Sequence, residues 1–296
     1  MEKIAIAGSL GLLGQRLLHS TPDNKELLCI DLPESPQPLT QPNYVSCDLT
    51  DRGKTFDVLD AFSPDWIINC AAYTHVDRAE VERELCWTVN VEAAENLAYA
   101  ARKTRSRILQ ISSDYIFDGK NGPYTEDATP NPLGYYGKSK LAAENVLRGA
   151  PVESTIIRTM VLYGTSKNQR PDFVQWLIGE LKAGRRVKIV NDQIGNATLN
   201  DNLAENIWRV IEQRYTGILN IAGKEINSRL EFARQICEVF DLDLRLMTAI
   251  STPELGQKAP RPLNSGLVVD KAITELGLLL LDNRESLRIL KDHLNL

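Results

Sequence analysis

Tyr136 and Lys140 stand four residues apart in the run Tyr136-Gly137-Lys138-Ser139-Lys140, a spacing that places both on one face of a helix. A phenol with its ordinary pKa near 10 exchanges protons poorly at neutral pH. A neighbouring ammonium favours the phenolate and brings the group into the range where it can act as an acid or base, a contribution of roughly 10²–10⁴-fold. Taken alone, the spacing is a common accident. Its weight comes from Ser112-Ser113-Asp114-Tyr115, which closes an apolar, strand-like run 23 residues before Tyr136, counted from Ser113. A hydroxyl at a strand end, Ser113, is suited to hold a carbonyl oxygen against the tyrosine.

A second group of residues supplies a place for a dinucleotide. Gly8-Ser9-Leu10-Gly11-Leu12-Leu13-Gly14 follows the first strand-like run and opens a helical pattern. Gly8, Gly11 and Gly14 let the backbone turn and approach a pyrophosphate, and the amides of Leu10, Gly11 and Leu12 point at it from a helix start. The spacing, GxxGxxG, is a variant of the usual fingerprint, and three glycines also mark ordinary turns. Asp31 ends the second strand-like run, where a carboxylate accepts hydrogen bonds from ribose hydroxyls and repels a 2′-phosphate. It favours NADH, with NADPH left open; a solvated strand-end aspartate is the plain alternative. Asp48 and Leu49 follow the next run and face the adenine side. With an oxidised, positively charged nicotinamide nearby, the phenolate of Tyr136 is favoured further. Glycine loop, Ser113, Tyr136 and Lys140, in that order, describe hydride transfer to a carbonyl with tyrosine as proton donor.

These residues need a scaffold that brings strand ends together. Apolar runs at 3–7, 26–30, 66–71, 107–112 and 154–159 alternate with helical patterns at 11–19, 52–61, 77–89, 91–104 and 135–147. Strands separated by helices of that length pair in parallel, with helices on both faces. The fold class is therefore α/β, a doubly wound parallel (Rossmann) sheet, with a smaller C-terminal substrate domain. The expected division is 1–160 for the dinucleotide and 161–296 mainly for the substrate, with later segments, about 186–222, returning to the first. Ser251 to Pro262 reads as a loop. Trp66, Trp87, Trp176 and Trp208 read as packing, and His75 as a positioning or surface residue.

The chain has 296 residues, 43% hydrophobic and 25% charged, with a net charge of -5. An acidic chain without a basic cluster speaks against nucleic acid and anionic membrane as partners. Five cysteines without a CxxC pair, and three histidines, give no zinc or iron–sulfur pattern, so no metal is expected. No signal-peptide core or membrane-length apolar run is present, and the expected location is the cytoplasm.

Read together, these motifs resemble the extended short-chain dehydrogenase/reductases, and within them the dTDP-4-dehydrorhamnose reductase family. The resemblance runs over nearly the whole chain. It includes Asn69-Cys70-Ala71-Ala72-Tyr73-Thr74-His75-Val76-Asp77, Val89-Asn90, and Ser112-Ser113-Asp114-Tyr115-Ile116-Phe117-Asp118-Gly119, similar to the family's S-T-D-Y-V-F-D-G block. Arg158-Thr159, Tyr163-Gly164, Asp192-Gln193, Thr198 and Arg261-Pro262 also match. The resemblance implies reduction of the C4 ketone of a nucleoside-diphosphate 4-keto-6-deoxy sugar. Ser113, Tyr136 and Lys140 would be catalytic, and Ala71, Ala72, Tyr73 and Asn90 would line the cofactor. Arg158, Gln193 and Arg261 would face the sugar nucleotide, and Asp114 and Tyr115 either contact its sugar or orient the loop. A guanidinium such as that of Arg261 suits a diphosphate.

Two departures stand out. Met160-Val161-Leu162 lacks the aromatic residue that the family often carries beside the sugar. Arg16 replaces an acid that some members use in metal-linked dimers, so neither that metal nor that dimer carries over, although a homodimer stays open. Two other readings of the same machinery are an NAD-retaining sugar-nucleotide epimerase or dehydratase, and a non-catalytic cofactor-binding regulatory subunit of the kind that acts on methionine adenosyltransferase.

Overall fold

The computed structural model describes residues 1–32, 43–167 and 169–295. Its main sheet is built from β1 (Glu2–Ala7), β2 (Lys25–Asp31), β3 (Tyr44–Ser46), β4 (Trp66–Asn69), β5 (Arg107–Ser113) and β6 (Ser154–Thr159), joined by Gly217–Asn220 from the second half of the chain. The spatial order is Gly217–Asn220, β6, β5, β4, β1, β2, β3, and every pairing is parallel. The chain runs outward from β1 to β3 and then crosses back to β4. The strand order thus reverses between β1 and β4, where open α/β sheets place their ligands.

Side chains of successive strand residues point to opposite faces, and β1 shows the consequence. Ile4 and Ile6 pack with Leu13 and Leu17 of α1 (Leu12–His19) on one face. Ala5 and Ala7 pack in the layer containing Leu59 of α2 (Arg52–Phe62) on the other. Ala93, Leu97 and Ala101 of the helix Ala93–Thr104, with Leu147 of the helix Tyr135–Gly149, complete that second layer. Both faces of the sheet are covered, which is why its strands read as apolar runs rather than as alternations.

The helical pattern expected at 77–89 resolves into a 3₁₀ turn, Arg78–Glu80, a short helix α3 (Arg83–Trp87) and a wide π turn, Thr88–Glu92. The π turn leads without interruption into α4 (Ala93–Thr104). Such turns inside helices often sit at functional positions, and this one holds the buried Asn90.

The later chain divides its allegiance. Helix α5 (Tyr135–Gly149) belongs to the first lobe, whereas α6 (Phe173–Lys182) builds the second. The strand Val187–Val190 pairs with Met247–Ile250 in a separate two-stranded sheet. In contrast, α7 (Asn200–Glu212) lays Leu203, Ile207 and Trp208 against the layer of α1, and Gly217–Asn220 extends the main sheet beside β6. A second core joins α6, α8 (Arg229–Phe240) and the helix Asn283–His293 through Leu177, Phe232, Ile236 and Leu287. The expected loop Ser251 to Pro262 contains a short helix, Thr252–Leu255, started by a capping box between Ser251 and Glu254 and ended by Gly256 in the left-handed conformation. Among the described residues, no helix is long and apolar enough to cross a membrane.

Candidate active site

The glycine loop is pressed against the end of β4. Gly8 has φ +75°, and a Cβ there would lie 2.5 Å from the Ala71 nitrogen. A side chain on Gly14 would overlap the Gly8 carbonyl. Only glycine permits both the positive φ and this approach. Gly11 occupies the N-cap of α1 with no side chain to satisfy the first amides, and no acid stands in the first turn. The amides around Leu12 are thus available to an anion. The Asp31 carboxylate accepts from the Leu10 N–H at 2.7 Å and from the Leu32 N–H at 2.8 Å, so it orders the loop besides marking the end of β2.

Two hydrogen-bonded chains run through Ala71, Tyr73 and Asn90, residues expected near the cofactor. The Ala71 N–H donates to Asn69 Oδ1 at 3.1 Å, and Asn69 Nδ2 to Gln110 Oε1 at 2.8 Å. Asn90 Oδ1 accepts from the Tyr73 N–H at 2.8 Å, while its Nδ2 donates to Ser139 Oγ at 2.9 Å. Ser139 in turn donates to the Tyr136 carbonyl at 2.7 Å. Asn90 therefore ties the Ala71-Ala72-Tyr73 segment to the first turn of α5. Asp48 Oδ1 is engaged with the backbone and hydroxyl of Thr50, and Leu49 is buried with its carbonyl accepting from Asn96.

Tyr136 and Lys140 share a face of α5, yet the Lys140 Nζ donates to the Ile111 carbonyl of β5 at 2.7 Å. Burial lowers its pKa to about 8, with the Glu144 carboxylate opposing. Burial first, and then the charge of Asp114, push the Tyr136 phenol up, while the Ser113 hydroxyl works against them. Desolvation of the phenolate is the largest of these effects, and the downward pull expected from a positively charged nicotinamide belongs to the site with its cofactor bound. The protonated form is the one held. Ser113 donates to Asp114 Oδ1 at 3.0 Å and accepts from the Tyr115 N–H. Asp114 also accepts from Ser265 Oγ at 2.6 Å, and burial raises its pKa to about 6 against these two hydroxyls. The Tyr115 ring stands edge-on to Tyr136, 5.5 Å between centroids.

Beyond Tyr115 lies a cavity of about 150 Å³, lined by Asp114, Met160, Gln193, Arg229 and Arg261 among others. Arg261 Nη2 donates to Asp77 Oδ2 at 2.9 Å, and its guanidinium sits 5.7 Å from the Tyr115 ring. Its Nη1 is buried without a partner among the described residues. Gln193 Nε2 donates to Thr252 and Gln257 at 3.0 Å.

Arg158 corrects an expectation. It does not face the cavity but lies in the core, paired with Glu144 at 2.8 Å, with side chains 2% and 0% exposed. Its Nη1 donates to the Glu126 carbonyl, and Glu144 also receives Ser112. A β6 residue pointing into the helix layer meets the α5 carboxylate before it can meet a ligand. Trp87 and Trp176, read as packing, are 38% and 39% exposed, whereas Trp66 and Trp208 are core. His75 meets Arg170 at the surface, and burial together with that cation lowers its pKa.

Sequence reasoning passed over Asp77 as the partner of Arg261, Ser265, Glu144 and Arg229. The groups they meet lie more than ten positions away, so no local spacing signals those contacts, although Asp77 closes the Asn69-to-Asp77 block. Among the described residues, no cluster of three or more His, Cys, Asp or Glu is placed to hold a metal ion. Arg16 instead forms an ion pair with Asp201.

With this geometry established, comparison with known proteins places the chain. The family model described as the RmlD substrate binding domain matches residues 1–295. The chain belongs to this family. Among curated members, a dTDP-4-dehydrorhamnose reductase of Aggregatibacter actinomycetemcomitans is 32% identical over 292 residues, covering 94% of each chain. The crystal structure of a dTDP-4-dehydrorhamnose reductase from Clostridium acetobutylicum superposes with a TM-score of 0.89 at 30% identity, over 99% of this chain and 100% of that one. A Bacillus anthracis dTDP-4-dehydrorhamnose reductase in complex with NADP does so at 0.88 and 29% identity, over 99% of both. As an RmlD-family chain of the dTDP-4-dehydrorhamnose reductase type, it is an NAD(P)H-dependent oxidoreductase with the parallel seven-stranded sheet of that fold.

Proposed function

We propose that this oxidoreductase reduces the C4 ketone of a nucleoside-diphosphate 4-keto-6-deoxy sugar, with Tyr136 as proton donor and Ser113 and Lys140 assisting. One observation carries the reading. Ser113 ends β5, and Tyr136 in the first turn of α5 packs edge-on against Tyr115, which lines a cavity together with Arg261, whose Nη1 has no partner among the described residues. Gly8 and Gly14 let the loop pack backbone on backbone against Ala71, and the uncapped amides at the start of α1 suit the pyrophosphate of a dinucleotide.

Reduced nicotinamide, when bound, supplies the hydride. This chain's residues handle the oxygen and the proton. Ser113 turns its hydroxyl from Asp114 to the ketone oxygen, and the Tyr136 O–H gives its proton to that oxygen as the alcohol forms. The raised pKa of Tyr136 keeps it protonated for this role. Lys140, held on the Ile111 carbonyl with a pKa near 8, keeps a cation beside the tyrosinate that results. The lobe built on the main sheet holds the dinucleotide, and the lobe around α6 and α8 faces the sugar nucleotide. Asp31 favours NADH; the Bacillus anthracis relative is in complex with NADP, so this preference rests on the carboxylate of this chain and not on the family.

The test follows loss of reduced-nicotinamide absorbance with NADH or NADPH and a dTDP-4-keto-6-deoxy sugar. Turnover that disappears in Tyr136→Phe supports the reading. No turnover with either cofactor sinks it, and NAD that stays bound through purification without exchange would point to an epimerase or dehydratase.

A further inference from the structure

A second cavity lies at the opposite end of the main sheet. It measures about 450 Å³, against about 150 Å³ for the cavity beside Tyr115, a volume that suits a small molecule. Its floor is made where strands begin: Glu2 of β1, Trp66 of β4 and Arg107 of β5 line it. Ser113 closes the same strand that Arg107 opens, about 20 Å away at the rise of an extended chain. The cavity shares no residue with the glycine loop or with the cavity beside Tyr115.

The carboxylates of the lining are already engaged. Glu2 pairs with Lys25 at 2.5 Å, Asp65 Oδ2 accepts from the Lys3 N–H at 2.8 Å, and Glu153 pairs with Arg107 at 2.5 Å. Arg107 is engaged on its other side as well. Its Nη1 donates to the Arg214 carbonyl at 3.1 Å, and its guanidinium lies over the Trp66 ring, 5.6 Å from the centroid. The lining has three more arginines, Arg102, Arg105 and Arg214, all exposed. Among the described residues, their guanidinium groups enter no ion pair and no side-chain hydrogen bond.

The backbone gathers these three. Arg105 caps the end of α4 with φ +61°, and Arg214 follows α7 with φ +51°, in the left-handed region where glycine or asparagine ordinarily stands. Helices α4 and α7 cover opposite faces of the sheet, so the arginines approach the cavity from both sides. A cation at a helix C-terminus is favourable by itself, but the end of α4 already has Lys103 for that. Three guanidinium groups without a carboxylate leave a local positive excess in a chain of net charge -5. Donors arriving from two sides suit a tetrahedral phosphate, which accepts in every direction, better than a carboxylate, which accepts in one plane. Trp66 is 1% exposed and covered by Arg107, so it offers no face to a nucleobase.

We infer that this cavity is a second anion site, which binds a small molecule of two phosphate groups through Arg102, Arg105 and Arg214. The full chain is titrated calorimetrically with pyrophosphate, fructose 1,6-bisphosphate and citrate, with and without saturating NADH. Salt is held at about 0.15 M, where loose surface attraction is screened beyond about 8 Å. The parent is compared with Arg102→Gln, Arg105→Gln, Arg214→Gln and, as control, Arg185→Gln. Arg185 is exposed and paired with Glu180 beside α6.

The parent is expected to bind pyrophosphate or the bisphosphate whether or not NADH is present. Loss of one charged hydrogen-bonding partner predicts an affinity about tenfold lower in each of the three variants, and no change in Arg185→Gln. Tighter binding of pyrophosphate assigns the site to the inorganic anion and tighter binding of the bisphosphate to a phosphate ester; both support the inference. Absence of binding by the parent overturns it. Binding that NADH displaces and that the three variants retain belongs to the glycine loop, and overturns it too. Citrate bound more tightly than either phosphate compound overturns the ligand class. If the three variants lose NADH binding and thermal stability together with pyrophosphate, the arginines are structural and the inference falls.

Discussion

The Ser113 hydroxyl donates to Asp114 Oδ1 at 3.0 Å, and the other oxygen of the same carboxylate receives Ser265 from the substrate-side loop at 2.6 Å. Asp114 thus connects the strand end that carries Ser113 to the segment that carries Arg261. A hydroxyl has one proton to donate. Ser113 must give up Asp114 before it can hold a ketone oxygen, so the carboxylate sets the resting orientation of the serine.

Asp114 also makes stability depend on pH. Burial raises its pKa from 3.8 to about 6, so between those values the folded chain keeps a proton that the unfolded chain has lost. Stability from this group is complete below pH 4 and falls as pH rises toward 6. Asp114→Asn removes the dependence. Relative to the parent, the variant is expected to gain up to about 3 kcal/mol between pH 4 and pH 7, beyond any constant effect of altered hydrogen bonds. Urea unfolding at both pH values measures it; a difference that does not change with pH would show that Asp114 does not titrate there.

Tyr136→Phe keeps the ring that meets Tyr115 and deletes only the donor. We expect kcat to fall by about 10²–10⁴-fold with the NADH dissociation constant unchanged. Single-turnover absorbance together with fluorescence titration separates the two. An unchanged kcat would remove Tyr136 from the proton path.

Asp31→Asn retains an acceptor for the Leu10 N–H and removes the charge. The NADH-over-NADPH ratio of kcat/KM should fall by at least about tenfold, equivalent to about 1.4 kcal/mol, if repulsion of a 2′-phosphate sets the preference. Equal ratios in parent and variant would leave Asp31 with its loop-ordering role alone.

Arg158→Ala leaves the Glu144 carboxylate buried without its cation. Breaking such a pair costs about 3–5 kcal/mol, whereas replacing both partners by apolar residues of similar size is far milder. Denaturant unfolding of Arg158→Ala and of the double variant Arg158→Met, Glu144→Leu tests this. A stable Arg158→Ala with weakened nucleotide binding would return Arg158 to the cavity.

Local spacing carried much of this protein. Strand-like runs separated by helical segments dictate a parallel sheet covered on both faces. Gly8, Gly11 and Gly14 at the β1–α1 junction, and Tyr136 with Lys140 one helical turn apart, are placed by bond geometry within a few residues. What the spacing did not contain is which distant group each charged side chain meets. Arg158 and Arg261 look equivalent as arginines near the substrate half of the chain. Yet β6 aims one into the layer where Glu144 waits, and a loop from the second lobe lays the other over Tyr115. The same holds for Lys140, whose bond goes to the Ile111 carbonyl, and for Asp114, whose pKa is raised by burial against the bonds from Ser265 and Ser113. Desolvation and ion pairing depend on everything that packs around a group. They are decided only when α7 and Gly217–Asn220 return to the first lobe and the second lobe closes the cavity wall.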